Sequence, residues 1–181
     1  LLVISFLEFI KGDIVNNKLR YLMKEWVEPI IIAVILALII RTFVVQAFKI
    51  PTGSMRPTLI EGDRILVSKF IYKFREPKRG EVIVFISPED KKKDFIKRLI
   101  GLPNEKVQIL NGAVLINDNA PSEDAILKRQ YYNRGDFGRE GQSVTVPNDA
   151  YFVLGDNSNS SRDSRYWGFM PKKYLLGRAF L

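Results

Sequence analysis

This chain of 181 residues carries a formal net charge of +8 and contains neither cysteine nor histidine. Its length is enough for one well-buried domain and an anchoring segment. The missing residue types exclude disulfides, thiol nucleophiles, Ser-His-Asp triads and metal sites built from imidazole or thiolate. A hydrolase made from this sequence must activate its nucleophile with a lysine or a carboxylate. The positive charge favours anionic partners, and because no zinc-finger, P-loop or dinucleotide fingerprint is present, we predict membrane lipid rather than nucleic acid.

Residues 29–48 form the longest apolar run, PIIIAVILALIIRTFVVQAF, in which Arg41 is the only charge. At about 1.5 Å per residue the run matches a hydrocarbon core of about 30 Å, which predicts a single transmembrane helix. A buried core helix is the alternative. We assign residues 1–28 to an N-terminal cytoplasmic segment and residues 49–181 to an extracytoplasmic domain. Because basic residues flank the run on both sides, they determine its orientation only weakly.

From residue 49 onward, short apolar segments alternate with turn residues, which is typical of antiparallel strands. The predicted fold class is therefore mainly β: an antiparallel domain of short strands, preceded by the single N-terminal helix. Asn111 and Gly112 separate two of these segments and predict a two-residue type I′ hairpin. This hairpin lies in a smaller inserted region over about 104–148. Strands are predicted over 64–70, 81–86, 95–102, 107–110, 113–116, 143–146 and 151–154.

Ser54 lies in the run IPTGSM (50–55), directly after the apolar run. Proline and glycine there predict a tight, irregular turn. A serine on such a turn can offer both its hydroxyl and its own N–H to a reactant. On its own, however, a serine in a loop is ordinary.

Lys97 lies in the predicted strand FIKRLI (95–100), where alternation puts Phe95, Lys97 and Leu99 on one face and Arg98 on the other. Apolar neighbours on a core-facing side would lower the pKa of this lysine. A shift from about 10.4 to about 8 costs roughly 3 kcal/mol and leaves about a tenth of the amines neutral at pH 7. A neutral Lys97 beside Ser54 could then act as a general base. The alternative is a lysine that reaches solvent from a strand edge.

The third segment of interest is GDNSNSSRDSR (155–165), which is rich in small polar residues. Asp163 and Arg165 are predicted to form an ion pair that stiffens the loop, and its serines are suited to orienting a lysine amine. A solvated turn is the plain alternative. A calcium loop of the EF-hand type fits less well because the closing position lacks an acidic residue, and no metal site is predicted.

Together these segments resemble type I signal peptidase, a membrane-anchored Ser–Lys endopeptidase that removes signal peptides from exported preproteins. The resemblance implies no cofactor, a plasma or thylakoid membrane location with the catalytic domain on the extracytoplasmic face, and proximity to the secretion translocon. The block GLPNE (101–105) departs from the family, which usually has Gly-Asp there, but Asn104 tolerates left-handed backbone nearly as glycine does, so little effect is expected. The matching blocks occur in the family's order: IPTGSMRPTL (50–59), GDRILVSK (62–69), RGEVIVF (79–85), KRLIGLP (97–103) and GDNSNSSRDSRYWGFMP (155–171).

The resemblance also implies roles for individual residues. Ser54 would be the nucleophile and Lys97 the general base, and the Ser54 N–H with the Thr52 hydroxyl would form the oxyanion hole. Ser161 would orient the Lys97 amine. The residues implied to support the site or to contact substrate are Asp163 and Arg165 in the site wall, Phe48, Ile50, Val84 and Ile96 in shallow apolar pockets for small side chains, and Asp94 and Phe95 at the strand edge along which substrate would lie.

Two other functions remain open from the sequence. A self-cleaving enzyme of the repressor kind also uses Ser–Lys chemistry, but such proteins lack a membrane span. A β domain without enzymatic activity could bind anionic lipid or a secretion partner, with Ser54 and Lys97 incidental.

Overall fold

The computed structural model describes residues 21–39 and 45–180. Most of the predicted cytoplasmic segment 1–28, and residues 40–44 of the predicted span, lie outside the described residues. The chain divides into two units, Leu1–Phe43 and Val44–Leu181.

In the first unit a π-helical turn, Met23–Val27, leads directly into helix α1, Glu28–Ile39. The side chains described from residue 21 to residue 38 are exposed, and most of those in α1 are apolar. Among the residues that the structure describes, no helix combines the length and apolar character needed to cross a membrane.

In the second unit, the described residues 45–180 are dominated by short strands, and every strand pair is antiparallel. The prediction of a mainly β, antiparallel fold is confirmed. The strands are β1 Val45–Lys49, β2 Arg64–Ser68, β3 Val82–Ile86, β4 Asp94–Gly101, β5 Lys106–Leu110, β6 Ala113–Ile116, β7 Ser143–Thr145, β8 Ala150–Leu154, β9 Met170–Pro171 and β10 Leu175–Phe180.

These strands form two sheets. The larger has the order β1-β2-β10-β3-β4-β8-β9, and the smaller has the order β6-β5-β7. The three strands of the smaller sheet fall within the region 104–148. Two one-turn helices complete the unit, α2 (Asp124–Leu127) beside the smaller sheet and α3 (Ser164–Trp167) against β8.

The prediction that the N-terminal helix continues to Phe48 is wrong, because Val45–Lys49 forms strand β1. The ladder to β2 runs from Val45 opposite Ser68 to Lys49 opposite Arg64. An apolar, β-branched run is ambiguous between helix and strand when it is read locally. Here the backbone hydrogen bonds offered by β2 decide the outcome, and they exist only in the folded chain.

The hairpin between β5 and β6 is confirmed. Leu110 lies opposite Ala113, so the loop contains only Asn111 and Gly112. Both have positive φ, 51° and 82°, as a type I′ turn requires. Asn104 also adopts left-handed backbone, with φ 66°.

Strand β3 is buried on both of its faces, and one face packs in a cluster with the residue that follows Ser54. Ile83 and Phe85 pack in one apolar cluster, while Val82 and Val84 pack in another that includes Met55. Met55 is fully buried, and burial of such a side chain stabilises the fold by about 1.5–3 kcal/mol. The residue after Ser54 is therefore anchored in the core.

Candidate active site

Ser54 lies in a one-turn 3₁₀ helix, Gly53–Met55, between β1 and β2. Asn157 fixes this turn from the opposite loop. Its backbone N–H donates to the Ser54 carbonyl at 3.0 Å, and its Nδ2 donates to the Gly53 carbonyl at 3.0 Å. The sequence reading did not single out Asn157, although short amide side chains commonly bind backbone groups in loops.

Lys97 extends from β4 to this turn. Its Nζ lies 2.6 Å from Ser54 Oγ and donates a hydrogen bond to it, although the residues are 43 positions apart. Lys97 is only 4% exposed, and its strand partner is the buried Ile83. The structure thus brings together the two residues predicted to carry the chemistry.

Burial lowers the pKa of Lys97 to about 8. Among nearby charges, Asp163 and Asp156 raise the pKa and Arg165 lowers it, so burial remains the dominant cause. With this pKa, about a tenth of the amines are neutral at pH 7 and about half at pH 8. An amine in this state can accept the proton of the hydroxyl beside it.

Ser161 lies in the loop that follows β8. It is buried, and its Oγ has no hydrogen-bond partner among the described residues. The bond by which Ser161 would orient the Lys97 amine is therefore not formed in this structure, in which that amine is directed at Ser54. Ser161 also explains Gly155: a Cβ there would lie 2.1 Å from Ser161 Oγ and 2.5 Å from the Ser54 carbonyl oxygen.

The predicted ion pair between Asp163 and Arg165 is formed, and both residues are fully buried. Asp163 Oδ1 accepts from Arg165 Nε at 2.8 Å, while Oδ2 accepts from Arg165 Nη2 at 2.8 Å and from the Gly155 N–H at 3.0 Å. Arg165 also donates to Ser158 Oγ at 2.6 Å and to the Tyr132 carbonyl at 2.9 Å. These bonds fix the loop that carries Asn157 and Ser161.

Thr52 precedes the turn in an extended conformation and is exposed. Its Oγ1 lies 3.5 Å from Ser54 Oγ. The threonine hydroxyl is thus near the position where an oxyanion would form on a carbonyl attacked by Ser54. Its role as an oxyanion-hole donor stays a prediction.

A groove of about 380 Å³ runs past Ser54 and Lys97, lined also by Thr52 and the first residues of β4. Strand β4 pairs with β3 from Asp94 onward but with β8 only from Arg98 onward. In the described part of the chain, one edge of Asp94–Lys97 therefore has no strand partner, and a peptide can add there as a strand.

Next to the groove lies a small pocket of about 30 Å³. A space of this size favours small side chains. All six residues predicted to contact substrate line it, which places them together in the structure: Phe48, Ile50, Val84, Asp94, Phe95 and Ile96.

The chain is similar to a protein family, to individual relatives and to a solved structure. Residues 23–181 match the family described as signal peptidase, peptidase S26. A probable signal peptidase I-2 from Synechocystis sp. is 46% identical over 165 residues, covering 86% of this chain and 72% of that protein. A probable thylakoidal processing peptidase 2 from Arabidopsis thaliana is 34% identical, covering 90% of this chain and 44% of that protein. A crystal structure of a signal peptidase I from Enterococcus faecalis V583 is 36% identical, with a TM-score of 0.45, covering 57% of this chain and 97% of that chain.

The chain therefore belongs to the signal peptidase family, peptidase S26, a family of serine endopeptidases.

Proposed function

We propose that this chain removes signal peptides from exported preproteins, with Ser54 as nucleophile and Lys97 as general base. The observation that carries the proposal is the 2.6 Å contact between Lys97 Nζ and Ser54 Oγ, both of which belong to buried residues. Two relatives of this chain are described as signal peptidase I enzymes, from Leptolyngbya laminosa and Bacillus licheniformis.

In the first half of the reaction, neutral Lys97 takes the Ser54 proton while Ser54 Oγ attacks the carbonyl carbon of the scissile peptide bond. The resulting oxyanion accepts hydrogen bonds from the Ser54 N–H and the Thr52 hydroxyl. The C–N bond then breaks, and the Lys97 ammonium gives its proton to the leaving amine. The signal peptide stays attached to Ser54 as an ester.

In the second half, neutral Lys97 takes a proton from water, and the hydroxide attacks the ester carbonyl. The C–O bond to Ser54 breaks, and Lys97 returns the proton to Ser54 Oγ. The signal peptide leaves as a carboxylic acid that gives its proton to solvent, and the enzyme is restored.

We further propose that the substrate lies extended against the edge of Asp94–Lys97, and that the small pocket admits a small side chain such as alanine. The small volume of this pocket and its largely apolar lining support this.

We also propose that the chain is anchored to a plasma or thylakoid membrane through the segment containing α1, near the translocon, with the β unit on the extracytoplasmic face. The exposed apolar side chains of α1, which include Ile32 and Ile35, support anchoring. A helix that is apolar on all sides is typical of a buried or membrane-inserted segment.

The pH dependence of cleavage tests the chemistry. We expect kcat/KM for a preprotein to rise about tenfold per pH unit below pH 8 and to level off above it, since only neutral Lys97 is active. Mass spectrometry of the products is expected to show a cut after a small residue. A rate that stays constant from pH 6 to pH 9 would contradict the assignment of Lys97 as base.

Extraction of membranes with alkaline carbonate tests the anchor. We expect the wild-type chain to remain with the membrane and the Ile32→Asp/Ile35→Asp variant to be released. Ile60→Asp, which alters an exposed isoleucine of the β unit, is the matched control and is expected to stay bound. Release of the wild-type chain would rule out anchoring while leaving the catalytic proposal intact.

A further inference from the structure

A second buried charge cluster lies beside the Ser54 turn. The Asp156 carboxylate, whose side chain is fully buried, accepts from Arg98 Nε at 2.7 Å and from Arg98 Nη2 at 2.5 Å. Arg129 Nη2 lies 2.9 Å from the same carboxylate. One buried carboxylate is therefore shared by two guanidinium groups.

Thr58 connects this cluster to the nucleophile. Its hydroxyl donates to Asp156 Oδ2 and accepts from Arg129 Nη2 at 2.5 Å. The next residue, Leu59, donates its N–H to the Met55 carbonyl at 3.0 Å. Asp156 itself precedes Asn157, the residue that binds the Gly53 and Ser54 carbonyls. The cluster is thus connected to the Ser54 turn in two ways, through the segment that follows the turn and through the loop that is bonded to it.

Arg129 reaches the cluster from the inserted region. It follows α2, and its Nη1 donates to the Ala125 carbonyl. Arg98 already makes two bonds to Asp156, so a second guanidinium is not needed to neutralise that carboxylate. Arg129 Nε is buried without a partner among the described residues, which costs stability. What Arg129 adds is the short bond to Thr58.

We propose that Arg129 is a positioning residue for Ser54, which acts through Thr58 and Asp156 to hold the turn of the nucleophile at its distance from Lys97. This inference rests on the proposed function and adds to it a dependence of the chemical step on the inserted region. Arg129 does not line the groove and has no hydrogen bond to Ser54 or Lys97 among the described residues, so its effect is expected on kcat rather than on substrate binding.

The test compares Arg129→Met, which keeps the side-chain length but removes the hydrogen bonds, with Arg129→Lys, which restores a cationic donor. We expect Arg129→Met to lower kcat about tenfold with KM changed less than twofold, since small displacements of reacting groups cost up to about 10²-fold. Arg129→Lys is expected to regain at least half of the lost activity on a logarithmic scale. Arg139→Met, which removes an exposed arginine paired with Asp136 in the same region, is the matched control and is expected to match wild type.

A double-mutant cycle with Thr58→Val shows whether the two residues act as one unit. The kcat of the double variant Thr58→Val/Arg129→Met is expected to be no lower than that of the more impaired single variant, because both substitutions remove the same link. Multiplicative losses would contradict the proposal, and so would a kcat for Arg129→Met within twofold of wild type.

Hydrogen exchange gives a reading that needs no substrate. We expect the amides of Leu59 and Asn157, which bond to carbonyls of the turn, to exchange at least tenfold faster in Arg129→Met than in wild type or Arg139→Met. If wild type fails to cleave preproteins, the proposed function is wrong, yet the exchange rates still decide whether Arg129 holds the turn. Unchanged exchange rates overturn this inference alone.

Discussion

Lys97 and Arg165 are both buried cations at the same site, but their surroundings differ. Arg165 donates to a carboxylate, a hydroxyl and backbone carbonyls, so its guanidinium is paired and well bonded. Lys97 makes one side-chain hydrogen bond in the described part of the chain, to the Ser54 hydroxyl. Both side chains lose their hydration on burial, so they differ in the hydrogen-bond partners that replace the water.

Lys97 and the ion pair of Asp163 and Arg165 are also coupled electrostatically. Asp163 raises the pKa of Lys97, while Arg165, which is bonded to that same carboxylate, lowers it. The ion pair therefore stiffens the loop and, at the same time, Arg165 offsets part of the effect by which Asp163 would keep Lys97 protonated. A saturated ion pair supports the structure, whereas a buried amine without a carboxylate partner suits the proposed role of base.

The largest effect is expected from removing the amine or the hydroxyl. Lys97→Met and Ser54→Ala are each expected to lower kcat/KM for a preprotein by at least about 10³-fold, since the proposed chemical step uses both groups. Lys93→Met, which removes an exposed lysine at the groove, is the control and is expected to stay within a few-fold of wild type. Cleavage by Lys97→Met within tenfold of wild type would disprove the role of Lys97.

Arg165, the cation paired with a carboxylate, is expected to affect the stability of the fold rather than the chemical step. Asp163→Ala leaves Arg165 buried without its carboxylate, and breaking such a pair costs about 3–5 kcal/mol of unfolding free energy. Urea unfolding measures the change. Asp136→Ala breaks an exposed pair with Arg139 and is expected to have a much smaller effect. Similar losses for the two variants would mean that the buried pair is not a structural element.

Stability against pH distinguishes the two cations further. The pKa of Lys97 is about 8 in the folded state, compared with 10.5 for a lysine exposed to water. The unfolded chain thus binds more protons between these values, and wild-type stability gains roughly 3 kcal/mol as pH rises from 8 to 10.5. Below pH 8 both states are protonated and this contribution is absent.

Lys97→Met lacks this contribution at every pH, so the difference between wild type and variant isolates it from other titrating groups. Near pH 7 the variant is expected to be the more stable protein, because it no longer buries an ammonium. A stability difference that does not change between pH 7 and pH 10.5 would be inconsistent with a depressed pKa.

The smallest effect is expected in substrate choice. Phe48→Ala enlarges the small pocket, so the ratio of kcat/KM for a leucine-containing to an alanine-containing signal peptide is expected to rise about tenfold. Phe74→Ala, at an exposed position outside that pocket, is the control. If Phe48→Ala leaves the ratio unchanged, the pocket does not select the side chain.

Features governed by local rules could be predicted from the sequence. Alternation along β4 placed Lys97 on a buried face, and two residues able to adopt positive φ gave the β5–β6 hairpin. Strand β1 was missed because it forms by pairing with β2, and the local sequence pattern does not reveal that partner. The cluster of Arg98, Arg129 and Asp156 was missed for a stronger reason, since Arg98 and Asp156 are 58 positions apart and no short motif links them.

The neighbouring positions of Lys97 and Arg98 on β4 have a consequence for how this enzyme can vary. Successive residues of a strand face opposite ways, so slipping the β3–β4 ladder by one step would exchange the two side chains. The nucleophile would then meet a guanidinium, which keeps its proton in proteins and cannot accept another. A single deletion inside β4 is therefore expected to abolish activity, because it would place a guanidinium beside Ser54 in place of the amine.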